Sequence, residues 1–325
     1  MRAVRFADGE ISFVTLPRPR PGPNQVLLKP VLAGICNTDL ELLQGYHAFH
    51  GVPGHEFVAV VAKAPGRPEL LGRRVVCDIN IGCGRCQWCA AGDPRHCETR
   101  RVIGILNWPG AYAGYLCAPA ANLHLVDDAV SDEEAVFAEP LAAALEVAQQ
   151  VHVTASLKMA ILGDGKLGLL AALGLRHYNP GLLLAGKHPK NLAIAQRQGV
   201  ATFQVKTPQA YKDLARELGL FDLVVEATGR PEGINHALSL VRPEGTIVVK
   251  TTSHEPSKID LARVVVDEIN ILGSRCGDLA LALDFLRNKW VKVRPLIEAI
   301  YPFARFKEAF ARARRPGAKK VLIRF

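Results

Sequence analysis

The sequence predicts an α/β protein of two domains: a partly open β-barrel and a doubly wound parallel sheet. Three observations support this. Residues 1 to about 125 are short β-type runs broken by Pro and Gly, such as "QVLLKPVLAGIC", "HEFVAVVAKA" and "RRVVCDINIG". From Lys158 strands and helices alternate, which implies parallel pairing with crossover helices. After Gly273 the chain returns to mixed elements. A length of 325 residues suits two domains.

In the alternating half, "KMAILG" reads as a strand, "KLGLLAALGLRHY" as a helix, "GLLLAG" as a strand and "PKNLAIAQRQG" as a helix. "FDLVVEATG", "GTIVVK" and "INILGS" follow, each expected to be a short buried strand. The end of the chain reads as a helix "LALALDFLRNKW", then "RPLIEAIYPF", "FKEAFARARR" and a last strand "KKVLIRF". The boundaries expected are 1–140 with 275–325, and 141–274.

The alternating half carries "GDGKLG", in which Gly163, Gly165 and Gly168 stand in the spacing G-x-G-x-x-G. The motif follows a strand and opens a helix, the context in which it cradles a dinucleotide pyrophosphate. Lys166 and Leu167 fill its last two variable positions, at the helix end that offers free N–H groups to phosphate. The next strand ends in Gly186, Lys187 and His188, where an NAD site usually places an acid for the ribose hydroxyl. A small residue followed by cations, with Lys190 close behind, fits a 2′-phosphate and predicts NADP rather than NAD.

"CGRCQWCAAGDPRHC" places Cys83, Cys86, Cys89 and Cys97 within a lobe of about residues 82–98. The gaps are short enough for four thiolates to converge on one ion. A structural zinc is expected, with an iron–sulfur cluster as the alternative. Four thiolates fill a tetrahedral zinc and leave no position for substrate, so the chemistry lies elsewhere.

The formal charge of +9 is local. Seven of the 40 basic residues lie between Gly165 and Lys212, a stretch without Asp or Glu, which leaves 33 basic against 31 acidic residues elsewhere. That argues against a nucleic-acid partner, although Arg85, Arg95, Arg100 and Arg101 keep a zinc-ribbon nucleic-acid binder as the alternative of another class. No apolar run approaches the roughly 18 residues of a membrane span. The N-terminal stretch lacks the apolar core of a secretion signal, so a cytoplasmic location and no membrane partner are expected.

"GICNTD" (34–39), "GHE" (54–56) and "AEPLA" (138–142) complete the pattern. With the cysteine cluster, "GDGKLG" and the late "ILGSR", they resemble, in order and along essentially the whole chain, the zinc-dependent medium-chain dehydrogenase/reductase family of alcohol, polyol, threonine and glucose dehydrogenases. The resemblance implies a GroES-like catalytic domain with an inserted Rossmann domain, and a homodimer or homotetramer. It implies a catalytic zinc on Cys36 and His55, with Glu56 as ligand or neighbour and Glu139 at the position that carries Glu in the polyol branch. Thr38 matches the hydroxyl that takes the alcohol proton. Two positions depart from the pattern: Glu41 stands where some relatives have His, and Gly114 where many have Glu. The implied reaction is hydride transfer between NAD(P) and an alcohol, polyol or sugar, with a zinc-independent quinone or enoyl reductase as the rival. Tyr46, His47, Phe49, His50 and Trp108 are expected to wall a small-molecule pocket.

Overall fold

A computed structural model describes residues 1–253 and 255–325 and divides the chain into two compact units. The first comprises Met1–Glu139, Leu279–Asn288 and Ile297–Phe325, and the second Pro140–Asp278 and Lys289–Leu296. A boundary at 275 assigned everything after it to the first domain, but residues 289–296 belong with the second unit.

In the first unit the elements are β1 (Arg2–Ala7), β2 (Glu10–Thr15), β3 (Gln25–Gly34), α1 (Asn37–Leu43), β4 (Glu56–Lys63), β5 (Arg74–Cys77), β6 (Asn80–Ile81), α2 (Gln87–Ala90), β7 (Arg101–Ile103), β8 (Asn107–Trp108), β9 (Leu116–Pro119), β10 (Leu123–Leu125) and α3 (Asp132–Ala135). In the second they are α4 (Ala138–Gln150, entered from the first unit), β11 (Met159–Leu162), α5 (Lys166–Leu175), β12 (Leu183–Gly186), α6 (Pro189–Arg197), β13 (Ala201–Gln204), α7 (Gln209–Leu218), β14 (Phe221–Glu226), α8 (Gly233–Leu240), β15 (Val241–Val249), α9 (Leu261–Val266) and β16 (Asn270–Gly273). The chain then returns to the first unit with α10 (Leu279–Arg287), β17 (Ile297–Pro302), α11 (Phe306–Ala313) and β18 (Lys320–Arg324).

The main sheet of the first unit runs β10-β5-β4-β3-β18-β17, with β9 also on β3. The last strand, β18, lies antiparallel to β3, pairing Leu322 with Gly34. The long apolar run of β3 thus becomes the middle of the sheet, buried at most positions. Pro30, which cannot donate to the ladder, coincides with a register shift against β4. An aromatic core backs this sheet: Phe6 meets Phe310 edge-on at 5.3 Å, and Tyr112 packs on Phe306 at 4.8 Å. "RRVVCDINIG" is not one strand. Asn122 Nδ2 donates to both Asp78 O and Asn80 O at 2.9 Å, and the chain leaves β5 there to join a small sheet β6-β7-β8.

The second unit is a parallel sheet in the order β13-β12-β11-β14-β15-β16. Its core joins Leu162, Ala185, Leu214, Val224 and Ile247. β16 corrects the reading of "INILGS" as a buried run: all four of its residues are exposed, because it is the edge strand. Beside it in sequence, α9 exposes Leu261, Val265 and Val266, the valines at 74% and 78%. Among the described residues no helix is long and apolar enough to cross a membrane.

Candidate active site

Two adjacent strands build the first candidate metal site. Gly34, at the end of β3, pairs with Glu56, the first residue of β4. A Cβ on Gly34 would lie 2.6 Å from Glu56 Oε2, so the carboxylate occupies the space a larger residue would need. Two residues on, Cys36 caps α1, while His55 precedes β4 from Gly54, whose φ of 101° favours glycine. The ligand atoms of Cys36, His55 and Glu56 all lie within 4.8 Å of one another.

Buried neighbours hold these groups. Asp39 Oδ2 accepts the Cys36 N–H at 2.8 Å and the Tyr112 hydroxyl at 2.7 Å. Its Oδ1 lies 3.5 Å from His55 Nδ1, a carboxylate–histidine contact that orients a ligating ring. Burial would raise the Asp39 carboxyl, but His55 and the two donors outweigh it and hold it below its ordinary value. Burial would depress His55, but Asp39 outweighs it and raises the imidazole well above its ordinary value. Glu56 is fully buried, and Lys320 Nζ donates to its Oε2. Glu56 Oε1 is buried without a hydrogen-bond partner, which is the vacancy a cation would satisfy. A thiolate, an imidazole and a carboxylate oxygen are a donor set that suits zinc.

Glu139 is not part of this cluster. Burial pushes its carboxyl up to about 7, and the charges of His55 and Glu56 both act on it. Thr38 Oγ1 lies 3.7 Å from Cys36 Sγ, and Glu41 follows one turn later on α1. Of the expected wall, the Tyr46 and His47 rings meet at 4.0 Å, and His47 has a positive φ of 60°. His50 faces Asp8 at 3.8 Å, whereas Trp108 donates to Cys117 O at 2.8 Å beneath the Arg101 guanidinium.

The second centre is the cysteine lobe. The sulfurs of Cys83, Cys86, Cys89 and Cys97 lie within 4.8 Å of one another. The N–H of Cys83 donates to Cys97 Sγ at 3.3 Å, and the N–H of Cys86 to Cys83 Sγ at 3.4 Å. Backbone N–H groups of Arg85 and Cys86 bring the Cys83 thiol down to about 6, towards the thiolate a metal requires. A Cβ on Gly82 would lie 2.5 Å from Cys89 Sγ, so the backbone must pass this close. Two of the arginines that supported a nucleic-acid reading have partners inside the chain: Arg95 pairs with Asp93 at 2.7 Å and Arg101 covers Trp108.

In the second unit the dinucleotide loop joins β11 to α5. Gly163 has φ 104°, and its Cβ would collide with Ala227 O. A Cβ on Gly165 would meet nothing within 4 Å, which leaves an open face at the N-terminus of α5 for a pyrophosphate. Lys187 and Lys190 are exposed. One expectation needs correction: Gly186 does not leave room for a phosphate. A Cβ there would sit 2.4 Å from Asp164 Cβ, because the Asp164 side chain fills that space.

Sequence reasoning missed Asp39, Tyr112, Lys320 and Asp164. Asp39 had a local signal, as the third residue after Cys36 where a helix cap reciprocates, and Asp164 lies inside the glycine motif. Tyr112, between β8 and β9, and Lys320, at the start of β18, are distant in sequence from the site and had none.

Comparison with known proteins identifies two matching domain families. Residues 22–128 match the alcohol dehydrogenase GroES-like domain, and residues 167–299 the zinc-binding dehydrogenase domain. The chain is 27% identical over 321 residues to D-arabinitol dehydrogenase 1 of Uromyces fabae, covering 93% of this chain and 90% of the relative. It superposes with a TM-score of 0.92 on the rspB protein of Escherichia coli CFT073, described as a short chain alcohol dehydrogenase complexed with NADH, at 26% identity and covering 100% and 99% of the two chains. A putative zinc-binding dehydrogenase from Sinorhizobium meliloti 1021, bound to NADP, gives 0.90 at 28% identity, with the same coverage.

Proposed function

The chain belongs to the zinc-dependent medium-chain dehydrogenase family and is an NAD(P)-dependent alcohol or polyol dehydrogenase; from that premise we propose that it uses NADP and a zinc held by Cys36, His55 and Glu56. The observation that carries this is the convergence of those three ligand atoms; Glu56 Oε1 is also buried without a hydrogen-bond partner. Glu139 remains a further ligand candidate on the family resemblance alone, since it lies outside the convergent cluster. A second zinc on Cys83, Cys86, Cys89 and Cys97 is structural.

The two bound groups supply Lewis-acid polarisation of the alcohol oxygen and acceptance of the hydride. The chain's own residues do the rest. Asp39 orients His55, and Lys320 holds the buried Glu56 carboxylate that would ligate the metal. Thr38 receives the alcohol proton at Oγ1, and Glu41, three residues later on the same helix face, passes it towards solvent. The loop at Gly163, Gly165, Lys166, Leu167 and Gly168 cradles the pyrophosphate. Gly186, Lys187, His188 and Lys190 flank the adenosine ribose, and the exposed lysines supply charge for a 2′-phosphate.

The enzyme forms a homodimer or homotetramer through the exposed edge at β16 and α9. The contact includes the adjoining stretch 245–260, of which His254 lies outside the described residues. A cytoplasmic location keeps the clustered thiols of Cys83, Cys86, Cys89 and Cys97 available as metal ligands. An absorbance assay of nicotinamide reduction over a panel of alcohols, polyols and aldoses, with NADP and with NAD, tests the proposal. Turnover is expected with a member of the panel, with higher kcat/KM for NADP. Lys187→Ala should weaken use of NADP and spare NAD. Zinc-loaded protein inert on the whole panel would overturn the substrate class, and better use of NAD would overturn the cofactor choice.

A further inference from the structure

The glycine loop contains an acid to which the reaction above gives no role. Asp164 stands between Gly163 and Gly165 and is 4% exposed. Its side chain crosses from β11 to the end of β12 and covers Gly186, where a Cβ would lie 2.4 Å from Asp164 Cβ and 2.5 Å from its Cγ. Both carboxylate oxygens are engaged by one residue. Oδ2 accepts the His188 backbone N–H at 2.6 Å, and Oδ1 lies 3.0 Å from His188 Nδ1. Asn191 Nδ2 donates to Asp164 O at 2.9 Å and fixes the backbone that carries the acid.

The end of the second strand is where dinucleotide folds receive the adenosine ribose, often with a carboxylate that binds its 2′-hydroxyl. Here the carboxylate comes from the neighbouring loop and is turned inwards. A carboxylate acceptor at Nδ1 places a hydrogen on that nitrogen. The remaining ring nitrogen, Nε2, belongs to a side chain that is 43% exposed, next in sequence to the exposed Lys187.

We propose that Asp164 is a positioning residue for cofactor specificity: it holds the His188 ring so that Nε2, beside Lys187, meets the adenosine 2′-phosphate. The ring would then bridge the carboxylate at Nδ1 and a phosphate oxygen at Nε2. A 2′-hydroxyl offers no second anion, and the same arrangement adds little for NAD. The inference rests on the cofactor reading above and assigns it a device.

The test is fluorescence titration of the zinc-loaded enzyme with NADPH and with NADH, for wild type, Asp164→Asn, His188→Ala and the double variant. Asp164→Asn keeps the volume over Gly186 and one oxygen for the His188 N–H, but removes the negative partner of the ring. Expected is a rise in Kd for NADPH of roughly fivefold or more, with NADH within about twofold, because a charge-assisted contact is lost for one ligand only. In the double variant Asp164→Asn should add nothing for NADPH beyond His188→Ala. Equal losses for both cofactors, or additive losses in the double variant, would show a merely structural role and overturn the inference. His188→Ala removes a half-exposed side chain while leaving the His188 backbone N–H for Asp164, and keeps the test available if Asp164→Asn does not fold: it must weaken NADPH selectively, and an unchanged ratio overturns the inference. Wild-type enzyme that binds NADH more tightly would overturn the cofactor reading and this inference with it. A preference for NADPH that Asp164→Asn leaves intact would overturn this inference alone.

Discussion

Glu56 and Lys320 form a buried ion pair across 264 residues of sequence. It ties the last strand, β18, to the first residue of β4. Lys320 donates to Oε2 of Glu56, and Oε1 is left buried without a hydrogen-bond partner. The side chains are 0% and 2% exposed, so loss of the lysine leaves a carboxylate in the core without its counter-ion. Lys320→Met should lower stability by about 3–5 kcal/mol. It should also reduce zinc retention at the first centre and not at the cysteine lobe. Urea unfolding with zinc analysis measures both, and stability within about 1 kcal/mol of wild type would mean the pair contributes little.

Cys89→Ser should act on stability rather than on chemistry. The lobe is held by short turns with little apolar core, so its order depends on the metal. Zinc content should fall by one per chain and the melting temperature should drop. Folded protein should keep its affinity for NADPH. A melting temperature equal to that of wild type would argue against a structural zinc.

Val265 and Val266 are 74% and 78% exposed, beside an edge strand that shows Ile271 and Leu272 to solvent. Exposed apolar residues along an unpaired edge are what a symmetric interface covers. Val265→Asp with Val266→Asp should convert the oligomer to a monomer in light scattering while leaving the unfolding midpoint of the monomer unchanged. A wild-type monomer at micromolar concentration would refute the oligomer.

Glu298 gives a pH test away from the centre. Burial would raise its carboxyl, but Arg312 and Lys319, the latter at 3.2 Å, outweigh this and lower it from 4.5. A lowered folded-state value stabilises above the unfolded value and is lost as pH falls through the folded one. Glu298→Gln should therefore cost about 1 kcal/mol at neutral pH. That difference should shrink as pH drops below 4.5. A constant difference across the acid range would contradict the assignment.

The parts of the site that lie in short motifs are legible in the sequence. Cys36, Thr38 and Asp39 share one helix start, His55 and Glu56 share one strand start, and the four lobe cysteines are local. Lys320 is not legible, because its contact exists only once β18 pairs with β3. Asp164 can be read as a residue type but not as a direction, since its target is the end of the neighbouring strand. "INILGS" was read as buried because an apolar strand looks the same in sequence whether or not its own chain covers it. Residues 289–296 escape for a similar reason: their unit is set by packing, and no change of composition marks it.

Zinc content and turnover of Cys36→Ser, measured on one preparation beside wild type, test the central claim most directly. Wild type should carry two zinc ions per chain and oxidise its alcohol substrate. Cys36→Ser should carry one, bind NADPH with unchanged Kd and lose turnover by about three orders of magnitude or more, as removal of a Lewis acid worth several kcal/mol requires. A Cys36→Ser protein that keeps wild-type turnover, or an active wild type with a single zinc, would contradict the account.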